Sequence, residues 1–148
     1  MKEAKIAQYS LQRVCPLDPE SGMTIGSAMD AAWGKLSDFE GWSSWVPSVT
    51  AAGLIGKEAP GRGAQLRVTF NGQGHDFTIA HWQPSRRLAL VQQLRSHQAA
   101  YVFDFNGNEN QLCLEATLEL QCAGAASLLR IFLKARHLRR CHAILNSL

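Results

Sequence analysis

The stretch Ala32-Trp33-Gly34-Lys35-Leu36-Ser37-Asp38-Phe39-Glu40-Gly41-Trp42-Ser43-Ser44-Trp45-Val46-Pro47 decides how this chain is read. Three tryptophans fall within thirteen residues, and a proline follows closely. Tryptophan is costly to leave in water, so such a cluster anchors a core or a pocket wall. Just upstream, Ile25, Met29, Ala32, Trp33 and Leu36 recur at three- and four-residue steps. That spacing predicts a helix over Thr24 to Leu36 with these side chains on one face. Asp38 to Pro47 reads as a short helix or turn, and Pro47 pushes Val46 toward extended backbone.

Beyond Pro47 the period changes from helical to alternating. Strands are expected at Val49 to Ile55, Gln65 to Phe70, His75 to Gln83, Arg87 to Leu94, Ala99 to Phe105 and Leu112 to Leu120. The breaks carry turn chemistry: Pro60-Gly61-Arg62-Gly63, Asn71-Gly72-Gln73-Gly74, Pro84-Ser85 and Asn106-Gly107-Asn108. Asn-Gly pairs signal tight hairpins, and short connections force antiparallel neighbours. Leu66, Val68 and Phe70 share a face, as do Tyr101, Phe103 and Phe105, and Leu112, Leu114, Ala116, Leu118 and Leu120. One side of the sheet therefore meets a core and the other meets water. Ahead of the tryptophan stretch, Lys5 to Val14 reads as a first strand of mixed alternation, broken by Pro16, Asp18, Pro19 and Gly22. After the last strand, Gly124 to Ser147 predicts a closing helix about 36 Å long. Its apolar stripe is read as Leu128, Phe132, Ala135, Leu138, His142 and Leu145.

This order resembles the helix-grip fold of the START-like (SRPBCC) superfamily, which includes polyketide cyclases/dehydrases, pollen-allergen-type proteins and lipid-transfer domains. The local likeness rests on Ala32 to Phe39, on Trp42-Ser43-Ser44-Trp45-Val46-Pro47, on Gly61-Arg62-Gly63 and on His81-Trp82-Gln83-Pro84-Ser85-Arg86-Arg87-Leu88. It implies an α+β fold: a curved antiparallel sheet of about seven strands wrapped around a long C-terminal helix, with two short helices after the first strand. The link from Val14 to Thr24 is longer than is usual in the family.

At 148 residues the chain fits one domain, expected to span residues 1–148, and can bury a substantial core. No run reaches the roughly 18–20 apolar residues that span a bilayer. The charged start Met1-Lys2-Glu3-Ala4-Lys5 lacks a signal-peptide core, so a cytoplasmic location is expected. Cys15, Cys113, Cys122 and Cys141 have no C-x-x-C spacing and read as reduced packing residues. The formal net charge is +3, and its excess lies at the end: Arg130, Lys134, Arg136, Arg139 and Arg140 stand in the last 29 residues with no acid among them. A solvated helix face is the simplest reading of that cluster; nucleic acid is not an expected partner.

A curved sheet and one crossing helix leave volume between them, a setting for a small hydrophobic ligand. The candidate lining is Trp45, Phe70, Phe77, Ile79, Leu90, Gln92, Tyr101, Phe103 and Leu118, with Phe132 and Arg136 from the helix. Gln92 is in phase with Leu88 and Leu90, and a buried amide needs partners. Tyr101 can present a hydroxyl to a carbonyl, and Arg136 can grip a carboxylate or phosphate. His75 and His81, six apart on one expected strand, should share a face about 20 Å apart, too far to hold one metal. His137 and Cys141 are one helical turn apart without a third ligand, and His97 has no apparent partner. No metal and no cofactor is expected, and no catalytic residue is assigned. The leading expectation is binding of a lipid- or polyketide-like molecule in the cavity. The alternatives are a cyclase/dehydrase-like enzyme, with His81 as general base and Tyr101, Gln92 or Arg136 holding a carbonyl, and an interaction module using the basic helix. Homodimerisation is compatible with each.

Overall fold

Alternation of apolar and polar residues builds seven antiparallel strands here, and the turns between them decide their order. The computed structural model describes residues 5–56, 59–108, 110–122 and 130–148, with residues 5, 6, 19 and 130–132 described by backbone alone. The strands are β1 (Lys5–Pro16), β2 (Val49–Leu54), β3 (Gln65–Phe70), β4 (Gln73–Gln83), β5 (Arg87–Gln93), β6 (His97–Gly107) and β7 (Gln111–Cys122). They form one sheet in the order β1-β7-β6-β5-β4-β3-β2. Strands β2 to β7 meander, and β1 closes onto β7 along its whole length, from Lys5 opposite Cys122 to Pro16 opposite Gln111. The helices are α1 (Ile25–Ser37), α2 (Trp42–Trp45) and α3 (Arg130–Ser147). This is the expected helix-grip arrangement.

The Asn71-Gly72 turn joins β3 to β4 with φ of 50° and 83°, the left-handed geometry that Asn and Gly adopt at least cost. The second Asn-Gly pair behaves otherwise. Asn106 and Gly107 are the last residues of β6, and the chain turns after them. A Cβ on Gly107 would lie 2.6 Å from both the Gln111 carbonyl oxygen and Ile25 Cδ1, so glycine here serves close approach of α1 to the sheet.

Thr24 caps α1 by accepting the Ser27 amide proton. Trp33 and Leu36 of α1 and Phe39 and Trp42 beyond it are buried. Their rings interlock edge to face: Trp33 with Trp82 at 5.0 Å, Trp33 with Phe105 at 6.0 Å, and Phe39 with Trp42 at 5.5 Å. The Trp42 indole donates to the Leu36 carbonyl at 2.8 Å, which satisfies its one polar atom inside the core. The tryptophan stretch thus seals α1 and α2 onto the sheet.

Helix α3 covers the other part of the inner face. Its buried side chains are His137, Cys141, Ile144 and Leu145, with Leu133, Leu138 and Leu148 partly buried. Of the expected stripe, Leu138 and Leu145 lie on this face, whereas Ala135 and His142 are exposed, so the buried face is rotated toward His137, Cys141 and Ile144. Positions 124–129 of the expected helix lie outside the described residues. Cations from other elements meet the helix C-terminus, where carbonyls lack intrahelical partners. Arg13 donates to the carbonyls of Leu145 and Asn146, and Lys35 to that of Ser147 at 2.6 Å.

Candidate functional site: polar chains beneath the C-terminal helix

The inner face of the sheet is apolar row by row. Tyr9, Leu118, Tyr101, Leu90 and Ile79 stand in register across five strands, all but Tyr9 fully buried. Phe77 meets Tyr101 with ring centroids 5.3 Å apart, and Phe103 is buried on the same face. Into this surface the sequence places polar groups at inward positions. His75 precedes Phe77 and Ile79 at the strand period, Gln92 follows Leu88 and Leu90, and His97 precedes Ala99 and Tyr101. From above, α3 adds His137, Arg136 and Arg140.

These groups form two hydrogen-bonded chains. In the first, an Arg140 guanidinium nitrogen lies 3.3 Å from His75 Nε2, and the Gln92 amide lies 2.9 Å from His75 Nδ1. Arginine has only donors, so Nε2 accepts. Burial first, then the charges of Arg140 and Arg136, depress the His75 pKa, so the ring is neutral and its proton sits on Nδ1. The structure places Gln92 Nε2 toward Nδ1 and leaves Oε1 without a partner. This tautomer requires the amide turned over, its oxygen facing the Nδ1 proton, and the free end is then the nitrogen. It is an NH2 group aimed into the interior without an acceptor, a costly arrangement unless something supplies one.

The second chain runs from solvent to the core. Exposed Ser96 Oγ lies 2.9 Å from His97 Nδ1, His97 Nε2 lies 2.8 Å from His137 Nε2, and His137 Nδ1 meets the Tyr101 hydroxyl. Burial, His97 and the Arg140 and Arg136 guanidiniums push His137 down to about 3. Burial followed by Arg136 lowers His97. Both rings are neutral, and burial holds the Tyr101 hydroxyl protonated by raising its pKa. A chain of neutral hydroxyl and imidazole groups has two senses, with every proton pointing toward Ser96 or every proton toward Tyr101. Cys141, pushed up to about 12 by burial, stays a thiol beside them.

A groove of about 450 Å³ opens next to the first chain, lined by Pro47, Ser48, Phe70, Asn71, Gln73, Arg136, Arg139, Arg140 and Ala143. Arg140 lies over the Phe70 ring at 4.6 Å.

Of the candidate lining, Phe70, Phe77, Ile79, Leu90, Gln92, Tyr101, Phe103 and Leu118 are buried, and Arg136 borders the groove. Trp45 stands apart, half-buried against Trp42 at 5.9 Å with the Lys35 ammonium 4.9 Å from its ring. The Phe132 side chain lies outside the described residues. His81 is on the outer face, where a cleft also holds Glu115 and Glu119. A register shift between Ile79 and His81 inserts Ala80 and reverses the face, so His75 and His81 do not share one and His81 has no access to the inner groups. His97, for which sequence showed no partner, sits between Ser96 and His137. The signal was its phase with Ala99 and Tyr101, missed because the strand was expected to begin at Ala99. Among the described residues no group of three or more metal-ligating side chains comes together.

No protein-family model and no curated protein matches the chain. Solved structures do. An aromatase/cyclase from a Streptomyces species superposes with a TM-score of 0.69 at 15% identity, over 97% of this chain and 91% of its own. Norcoclaurine synthase from Thalictrum flavum, solved with dopamine and hydroxybenzaldehyde, gives 0.68 at 9% identity over 97% and 87%. A START superfamily protein from Mycobacterium smegmatis gives 0.62 at 14% identity over 95% and 93%. With the sheet order and the closing helix, these likenesses establish that the chain has the START-like helix-grip fold.

Proposed function

We propose that this protein binds a small hydrophobic or amphipathic molecule, lipid- or polyketide-like, between the inner face of the sheet and α3. The observation that carries this reading is the unpartnered Gln92 amide in a surface otherwise built of Phe77, Ile79, Leu90, Tyr101 and Leu118. A plain core has no use for a buried amide with one free end. A ligand with an apolar body and one carbonyl or hydroxyl oxygen supplies the missing acceptor. Arg140 and His75 hold the amide in the orientation that presents its donor. The aromatic guests of norcoclaurine synthase and the aromatase/cyclase activity of the Streptomyces protein are consistent with a ligand of this size.

Uptake of N-phenylnaphthylamine, an uncharged apolar fluorophore, tests the proposal. One equivalent should bind the folded chain with a negative heat-capacity change. Native mass spectrometry of freshly purified protein should reveal a small-molecule adduct. Absence of both overturns the reading.

A second reading is favoured by the chain from Ser96 to Tyr101. In a cyclase/dehydrase-like enzyme, Tyr101 would donate its proton to a carbonyl oxygen of a bound poly-β-keto substrate, and His137 and His97 would restore it from solvent at Ser96. Tyr101→Phe separates the two. It should weaken binding about fivefold, one ordinary hydrogen bond, if the protein only binds. It should abolish turnover with little loss of binding if Tyr101 moves a proton.

A further inference from the structure

We propose that the groove beside α3 is an oxyanion subsite, which takes the phosphate or carboxylate of a soluble small molecule whose apolar part enters toward Phe70. Arg136, Arg139 and Arg140 stand at i, i+3 and i+4, so their guanidiniums share one side of the helix and repel one another. Each of the three lines the groove, and the lining holds no acid. The ion pairs among the described residues, Arg67 with Asp76 and Arg87 with Asp104, leave all three arginines without a carboxylate. Lys134, on the same helix, points elsewhere, over the Tyr9 ring at 4.3 Å.

The groove is also built to orient an anion. Arg140 is held from below by the Phe70 face and from the side by His75, so its guanidinium loses little freedom on binding. Ser48, Asn71 and Gln73 add neutral polar groups to the lining. The backbone amide of Asn71 donates to the Ser48 carbonyl at 2.9 Å and ties this part of it down. A recessed groove with an aromatic floor suits a compact phosphate or carboxylate ester better than a flat bilayer surface. The subsite deepens the ligand-binding reading and rests on it, since it supplies the charged end for a guest whose body lies under α3.

After burial, the Arg140 and Arg136 charges depress His75, and an anion between them should relieve their part of that shift. This gives a readout besides affinity. Isotope-labelled full-length chain is titrated with inorganic phosphate, then with phenyl phosphate, at constant ionic strength set by chloride. His75 and the arginine side chains are followed by NMR. Expected are saturable shifts, tighter binding of phenyl phosphate than of phosphate, and a rise in the His75 pKa when the site is filled. Arg139→Glu, at an exposed position of the groove outside the candidate ligand lining, should weaken phenyl phosphate about tenfold or more while the thermal melt and N-phenylnaphthylamine uptake stay unchanged. Shifts that follow ionic strength whatever the anion, or that survive in the Arg139→Glu variant, overturn the subsite. So does sedimentation with phosphatidylglycerol vesicles in a chain that ignores phenyl phosphate, since the basic face then serves a membrane. Retained uptake of the neutral fluorophore in such a chain sinks the subsite alone, whereas its loss together with phosphate binding sinks the ligand-binding reading itself.

Discussion

A neutral histidine on the buried face of a helix is a pH-dependent contact, and His137 is the sharpest instance here. Its ring is 1% exposed, lies against His97, and is pushed down to about 3 by burial, His97 and the two arginines. The folded pKa is below the unfolded value of about 6.5, so the unfolded chain binds the extra proton. The stability His137 contributes is therefore complete above about pH 6.5 and is lost progressively as pH falls toward its folded value. His97 and His75, also lowered, act in the same direction. The midpoint of thermal unfolding should drop between pH 7 and pH 4, and His137→Gln should flatten that drop. A melt independent of pH over this range, in a chain that still folds, would show the ring to be solvated. Tyr101→Phe tests the same chain from its inner end. Removing the hydroxyl leaves His137 Nδ1 buried without its partner, and the expected cost is about 1–3 kcal/mol by denaturant unfolding.

At the scale of elements, strands were legible from sequence because their signal is short in range. A period of two over Leu112 to Leu120 or Leu66 to Phe70 needs no knowledge of what lies above it, and both segments are buried as expected. The phase of α3 was not, because two stripes compete on that helix. Leu133, Cys141, Ile144 and Leu148 with His137 make the buried one, and the polar histidine concealed it. The bulge at Ala80 was equally hidden, since one inserted residue leaves no trace in composition yet turns His81 outward. The candidate site suffered accordingly. Its sheet residues were read from alternation, whereas the pairing of His97 with His137 spans 40 residues and depends on the helix phase. The phase has a direct test. Ile144→Ala should cost about 2–5 kcal/mol, because Ile144 is fully buried, while His142→Ala should stay within about 0.5 kcal/mol. Equal effects at the two positions would rotate the helix. Gly107→Ala probes the contact between α1 and the end of β6. A methyl group there has backbone on one side and Ile25 on the other, so the loss should be about 1–3 kcal/mol.

For the whole molecule, the decisive fact is that α3 is tied both to the sheet and to the first strand and first helix. One side buries Ile144 and Leu145 against the sheet, and its C-terminal carbonyls take donors from Arg13 of β1 and Lys35 of α1, elements at the far end of the sequence. Helix, first strand and first helix are thus joined at one corner, and β1 reaches the rest of the sheet through β7 alone. Removing residues 130–148 would strip the cover from His97 and from the apolar row around Tyr101 and Leu118, and would take His137 from Tyr101 and Arg140 from His75. Each fully buried Leu, Ile or Phe side chain is worth about 1.5–3 kcal/mol, so uncovering only a few of them consumes a typical net stability of about 5–15 kcal/mol. The truncated chain should keep strand-type far-ultraviolet dichroism, lose its near-ultraviolet signal from the Trp33, Trp42 and Trp82 cluster, bind apolar dye and melt without cooperativity, the signature of a collapsed state without fixed packing. A sharp melt with native near-ultraviolet dichroism would mean that the sheet and its tryptophans stand alone. In that case α3 would be a lid on a finished fold, and the groove its arginines line could open without unfolding.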